Sequence, residues 1–226
     1  MFSTLQYYFL CINCLVIQFK YLKYIEQNVK SHINDKNNTA DIFSEELLRT
    51  DSIIKAYKNH VQYFRFPYLK EGKTKEKIAE LRAVLERENY QNGYVTIDAS
   101  DWYVNSRLVK KMRSGEVVDT LAFQNFYLEH LLDRAKFYES LSYQLNGRHI
   151  KHTLLLHHNL TTALFLRPLI KKFKSEGWDV VDAIDAYRDP IYQRRPQIVP
   201  AGECLIWSLA KESGRFDSIL RFPSED

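Results

Sequence analysis

From residue 39 onward, the spacing of apolar and polar positions divides the chain into strands and helices. In VQYFRFPYLKEG, residues 61–72, alternation sets Val61, Tyr63 and Arg65 on one face and Gln62, Phe64 and Phe66 on the other. Pro67 lacks the N–H that a continuing ladder needs, so the strand stops there with an arginine at its end. Two further runs share this grammar. GYVTIDASDW leads a β-rich segment into Asp98 and Asp101, and HTLLLHHN leads one into His157 and His158. In barrels of parallel strands, binding and catalytic groups gather where the chain leaves each strand. The three strand ends are therefore expected to form one site.

Between these strands the apolar spacing is helical. Thr39 can cap a helix running to about residue 57, with Asp41 in its first turn. Phe43, Leu47, Ile54 and Tyr57 would make its buried stripe, with Glu45, Glu46, Arg49 and Asp51 on the solvated side. Gly72 and Thr74 open a second helix with Ile78, Leu81 and Leu85 inward. Helical spacing recurs over about 105–114 and over 119–145, where Leu128, Leu131, Leu132, Ala135 and Tyr138 face inward and the helix ends near Asn146 and Gly147. Strand 152–157 precedes a helix over 161–175, with Ala163, Leu164, Ile170 and Phe173 inward, which stops at Gly177 before a short strand at WDVV. Strands alternating with helices predict an α/β fold, an irregular or partial (β/α) barrel of parallel strands.

Composition narrows the class. A chain of 226 residues that is 45% apolar can bury a substantial core. Its net charge of +4 is spread along the sequence, so no nucleic-acid footprint is present. Cys11, Cys14 and Cys204 imply no disulfide framework. Residues 1–19 carry no charged side chain and approach the roughly 20 apolar residues of a membrane-spanning helix. They lack the basic start and small-residue cleavage site of a secretion signal. A buried core segment and a membrane anchor are both open readings for this stretch, which places the chain in the cytoplasm or at a membrane.

At the third strand, a period of two puts Leu155 and His157 on one face and His158 on the other. Leu155 would then wall a small nonpolar group beside a histidine able to exchange a proton. Taken in order, YFRFPY, TIDASDW and LLLHHN resemble the third, fourth and fifth motifs of the polysaccharide deacetylases, carbohydrate esterase family four, over roughly residues 28–210. The resemblance implies a parallel-strand barrel that hydrolyses N-acetyl groups of a polysaccharide or oligosaccharide, with a divalent metal, usually zinc, polarising the carbonyl and activating water. It implies that Arg65 orients a catalytic carboxylate, that the backbone at Tyr68 binds the oxyanion, and that Trp102 walls the sugar groove. Asp98 and Asp101 would pair with the arginine and tune the histidine. Leu155 would line the acetyl pocket, and His157 would be the general acid.

The sequence also departs from the family pattern. His32 stands where the second of two metal-binding histidines belongs, while Asn28 occupies the place of the first. The paired aspartates of the first motif have no counterpart: Asp35 is the first aspartate, and Glu26 is the only acid before it. The sequence therefore predicts an apolar segment at 1–27, a deacetylase-like domain at 28–226 lacking the first strand or strands of the family fold, and impaired chemistry. The alternative is a noncatalytic carbohydrate-binding homologue.

Overall fold

The computed structural model describes residues 39–57 and 60–220, together with the backbone of 8–12. These residues form two compact units. One comprises 8–12, 95–194 and 204–220, and the other comprises 39–57, 60–94 and 195–203. Among the described residues the strands are short: β1 (Tyr8–Ile12), β2 (Tyr63–Phe64), β3 (Gln91–Asn92), β4 (Lys151–Leu154) and β5 (Trp178–Val180).

In the first unit, a three-stranded parallel sheet has the order β4-β1-β5. β1 lies in the middle, with Phe9 opposite Lys151 on one side and Asp179 on the other. A parallel bridge between Ile97 and Leu154 adds the TID segment to the free side of β4. Ile97 N–H donates to the Thr153 carbonyl at 3.0 Å, and Leu155 N–H donates to the Ile97 carbonyl at 3.0 Å. The fold is thus mixed helix and strand with a small parallel sheet. The described residues do not make a full barrel.

Helices Asp101–Arg113, Thr120–Asn146, Leu160–Ser175, Ala183–Tyr187 and Leu205–Ser213 complete this unit. The 27-residue Thr120–Asn146 helix is capped by Asp119, whose carboxylate accepts from Ala122 N–H at 3.0 Å, and ends on Gly147 at φ 67°. All five of its expected inward residues are buried. The Leu160–Ser175 helix is rotated from expectation: it buries Phe165, Leu169 and Phe173, while Ala163 and Leu164 are exposed and Ile170 is half-buried. Phe165 meets Tyr127 at 5.8 Å between ring centroids, and Phe173 meets Trp178 of β5 at 5.6 Å. These aromatic contacts set the helix's rotation, and the order of apolar residues did not reveal them. Trp207 is buried.

In the second unit, β2 and β3 pair in parallel. Helix Ala40–Ile54 is capped by Thr39 and helix Lys75–Arg87 by Thr74. Phe43, Phe64 and Phe66 form the centre of the core, with centroid separations of 5.1–5.9 Å. Leu47, Leu81, Val84 and Leu85 pack around them. The alternation expected for 61–66 therefore holds for burial over 63–66 but not at Gln62, which is exposed, and only two residues keep the ladder. Tyr57 does not extend the stripe of its helix; it is 46% exposed, beyond the helix end at Ile54. Asp51 is not a solvated residue. It accepts from the Tyr90 hydroxyl at 2.5 Å and lies 3.1 Å from His60 Nε2.

Of the apolar opening segment, Tyr8–Ile12 is a strand bonded on both sides. The rest of residues 1–27, and His32, lie outside the described residues. No helix among the described residues is long and apolar enough to cross a membrane.

Candidate functional site

The site is built where two neighbouring parallel segments end. β4 stops at Leu154, and Leu155 and Leu156 carry the chain, still buried, to His157 at the surface. The adjacent TID segment ends at Asp98 and turns through Ala99 and Ser100. Ser100 sits in the left-handed region at φ 50°, ψ 40°, and the helix begins at once with Asp101. The sequence placed this helical start about four residues later. A non-glycine residue in that region is strained, and the turn is braced by the Asp98 carboxylate, which accepts from Ser100 N–H at 3.0 Å.

Asp101 is 1% exposed, and its two oxygens gather three donors. Oδ1 lies 2.6 Å from His157 Nδ1. Oδ2 accepts from His157 N–H at 2.9 Å and from Asn159 Nδ2 at 3.1 Å. Its place in the first turn of a helix adds the favourable field of the N-terminal peptide dipoles. A carboxylate only accepts, so Nδ1 carries the proton, and Nε2 is the ring nitrogen whose protonation can change. The histidine is thereby held by a buried acid through both its ring and its backbone. Its side chain remains 40% exposed.

Asp98 belongs to the same corner but behaves differently. Burial pushes its carboxyl above the ordinary carboxylate value, and the neighbouring Asp101 charge adds to this, against the Ser100 N–H and the attraction of His157. One of the paired acids is thus fastened to the histidine, while the other takes up a proton more readily than an ordinary carboxylate.

Asn159, which the sequence reading did not single out, acts at both ends of its carboxamide. Nδ2 holds Asp101, while Oδ1 caps the Leu160–Ser175 helix by accepting from Thr162 N–H at 2.9 Å. An Asn immediately before a helical run was the available signal. His130 was also missed. Its Nε2 donates to the Ala99 carbonyl at 2.8 Å, which pins the turn between the two aspartates. Nothing in its spacing pointed there.

The other expected residues fall as follows. Leu155 is buried. His158 is exposed. Trp102 is 42% exposed and meets Tyr103 edge-on at 5.9 Å in the first turn after Asp101. Arg65 and Tyr68 belong to the second unit. There Arg65 Nε donates to the Gly93 carbonyl at 3.4 Å, while Tyr68 is exposed and takes a left-handed φ of 54° in a short turn after Pro67.

Among the described residues, no group of three or more His, Cys, Asp or Glu side chains stands together to hold a metal ion. The oxygens of Asp101 are already engaged by protein donors. The described residues therefore do not by themselves make a zinc site. Comparison of the chain with models of known families, with curated proteins and with solved structures found no match.

Proposed function

We propose that this chain acts on N-acetylated sugar polymers or oligomers in the manner of the polysaccharide deacetylases, with Asp101 and His157 as the acid–base half of its site. The observation that carries the reading is the 2.6 Å contact between His157 Nδ1 and the buried Asp101 carboxylate. It supports the roles that the sequence resemblance assigns to these two positions.

Deacetylation adds water across the amide. A water oxygen bonds to the acetyl carbon, the C–N bond breaks, and the sugar amine leaves with a proton. His157 Nε2–H supplies that proton, the attacking water gives its own proton up to solvent, and uptake of a proton from solvent restores the imidazolium, which the Asp101 carboxylate stabilises. Leu155 lines the acetyl group, and Trp102 packs against the pyranose. A divalent metal, zinc by resemblance, and His32 as its ligand are part of the same proposal.

The exposed pairing of Trp102 and Tyr103 favours a second reading, a noncatalytic sugar binder. Zinc titration followed by assay of acetate release from chito-oligosaccharides separates the two. For the enzyme, H157Q lowers acetate release about 100-fold or more while sugar affinity is kept. Sugar affinity with neither metal uptake nor acetate selects the binder. Release by H157Q at the wild-type rate would overturn the role of His157.

A further inference from the structure

Beyond the Asp101 corner, an exposed ring is mounted on the same turn. His130 Nε2 donates to the Ala99 carbonyl at 2.8 Å, so the imidazole is fixed beside the loop joining Asp98 to Asp101. One helical turn earlier, Phe126 lies flat on that imidazole, with centroids 5.7 Å apart and planes 10° from parallel. Phe126 is nevertheless 59% exposed. A single exposed phenylalanine is ordinary. This one stacks, offset, against a ring that is itself hydrogen-bonded to the site's own loop, and it has no polar atom to satisfy water.

We propose that Phe126 is a sugar-stacking surface for a second residue of the substrate, next to the residue whose acetamido group reaches His157. This rests on the reading that the site takes N-acetylated sugars. A pyranose presents a flat face of C–H bonds, and a ring already stacked on a neighbour loses less conformational freedom on receiving it. His130 is the positioning residue, since it ties the platform to the turn that carries Asp98 and Asp101. The occupant is an oligosaccharide. A single sugar seated at His157 would not use the platform.

The test is calorimetric titration of wild type, F126A and F126W with N-acetylglucosamine and with N-acetylchitotetraose, with circular dichroism to verify that each variant is folded. F126A is expected to weaken the tetrasaccharide roughly three- to tenfold. It should leave the monosaccharide unchanged, and F126W should restore the tetrasaccharide. H130A should weaken the tetrasaccharide in the same direction, whereas H130Q, which keeps an N–H for Ala99, should weaken it less. Equal tetrasaccharide affinity in wild type and F126A overturns the role of Phe126 and leaves the sugar site standing. Loss of a dimer in F126A, seen by sedimentation without change in sugar affinity, also overturns it, since the ring then serves a second copy of the chain. Wild-type protein that binds neither sugar overturns the functional reading, and this inference falls with it.

Discussion

Asp98 and Asp101 are three positions apart, yet one carboxylate braces the Ser100 turn and the other holds His157. Asp98 is held above its ordinary value mainly by burial, so its charge opposes folding. That cost is absent below the ordinary value of 3.8 and grows as pH rises through the higher folded value. D98N keeps an oxygen for Ser100 N–H and carries no charge. It should therefore melt higher than wild type at neutral pH, with the difference vanishing toward pH 3 in thermal scans, roughly the point at which both forms are neutral. At Asp101 the neutral substitution removes a needed acceptor. D101N is expected to lower acetate release by about 100-fold or more, as removal of the partner that orients a catalytic histidine does. The sequence singled out both aspartates and His157, but it could not apportion them: three residues of spacing do not say which carboxylate turns toward Ser100 and which toward the imidazole.

For the individual elements, legibility followed the range of the interactions. The caps at Thr39 and Thr74 and the stop at Gly147 are local chemistry, and the sequence located them. The strands are shorter than the pattern predicts: 61–66 and 152–157 keep the burial expected of them in part, but regular strand covers only Tyr63–Phe64 and Lys151–Leu154. An apolar run records burial, whereas pairing depends on a partner elsewhere in the chain. Asn159 shows how one element end can serve the site as well. N159A removes an N-cap worth about 1 kcal/mol and a donor to Asp101. N159D keeps the cap but sets a second carboxylate beside the first. Urea titration should place N159D below N159A in stability at pH 7, and the order should reverse once the acids are protonated.

The first unit as a whole depends on a polar cluster that no motif announced. Glu139, buried on the Thr120–Asn146 helix, holds His152 Nε2 at 2.6 Å with one oxygen and His149 Nδ1 with the other. His152, wholly buried on β4, also meets Thr96 Oγ1 at 3.0 Å, which joins helix, sheet and TID segment. Burial alone would raise the Glu139 carboxyl, but the two imidazoles hold it below its usual value. Its contribution is therefore present above the ordinary value of 4.5 and is lost as pH falls through the lower folded value. E139Q should cost about 3 kcal/mol in denaturant titrations at pH 7, since it removes one partner of a buried pair, and the gap to wild type should narrow in acid. The parallel α/β character was legible from alternating strands and helices. The limited sheet was not, since a strand pattern does not state how many neighbours will accept it.

The position of β1 carries a consequence for how the protein is made. The centre strand is synthesised before both of its neighbours, which follow roughly 140 and 170 residues later. Until then an apolar ribbon with both edges bare must wait, the situation in which nascent chains cross-pair and precipitate. Recovery of native protein should thus rise steeply with chaperone supply or slower translation. Charged substitutions within Tyr8–Ile12 should be felt first as lost yield, before any change in the chemistry at His157.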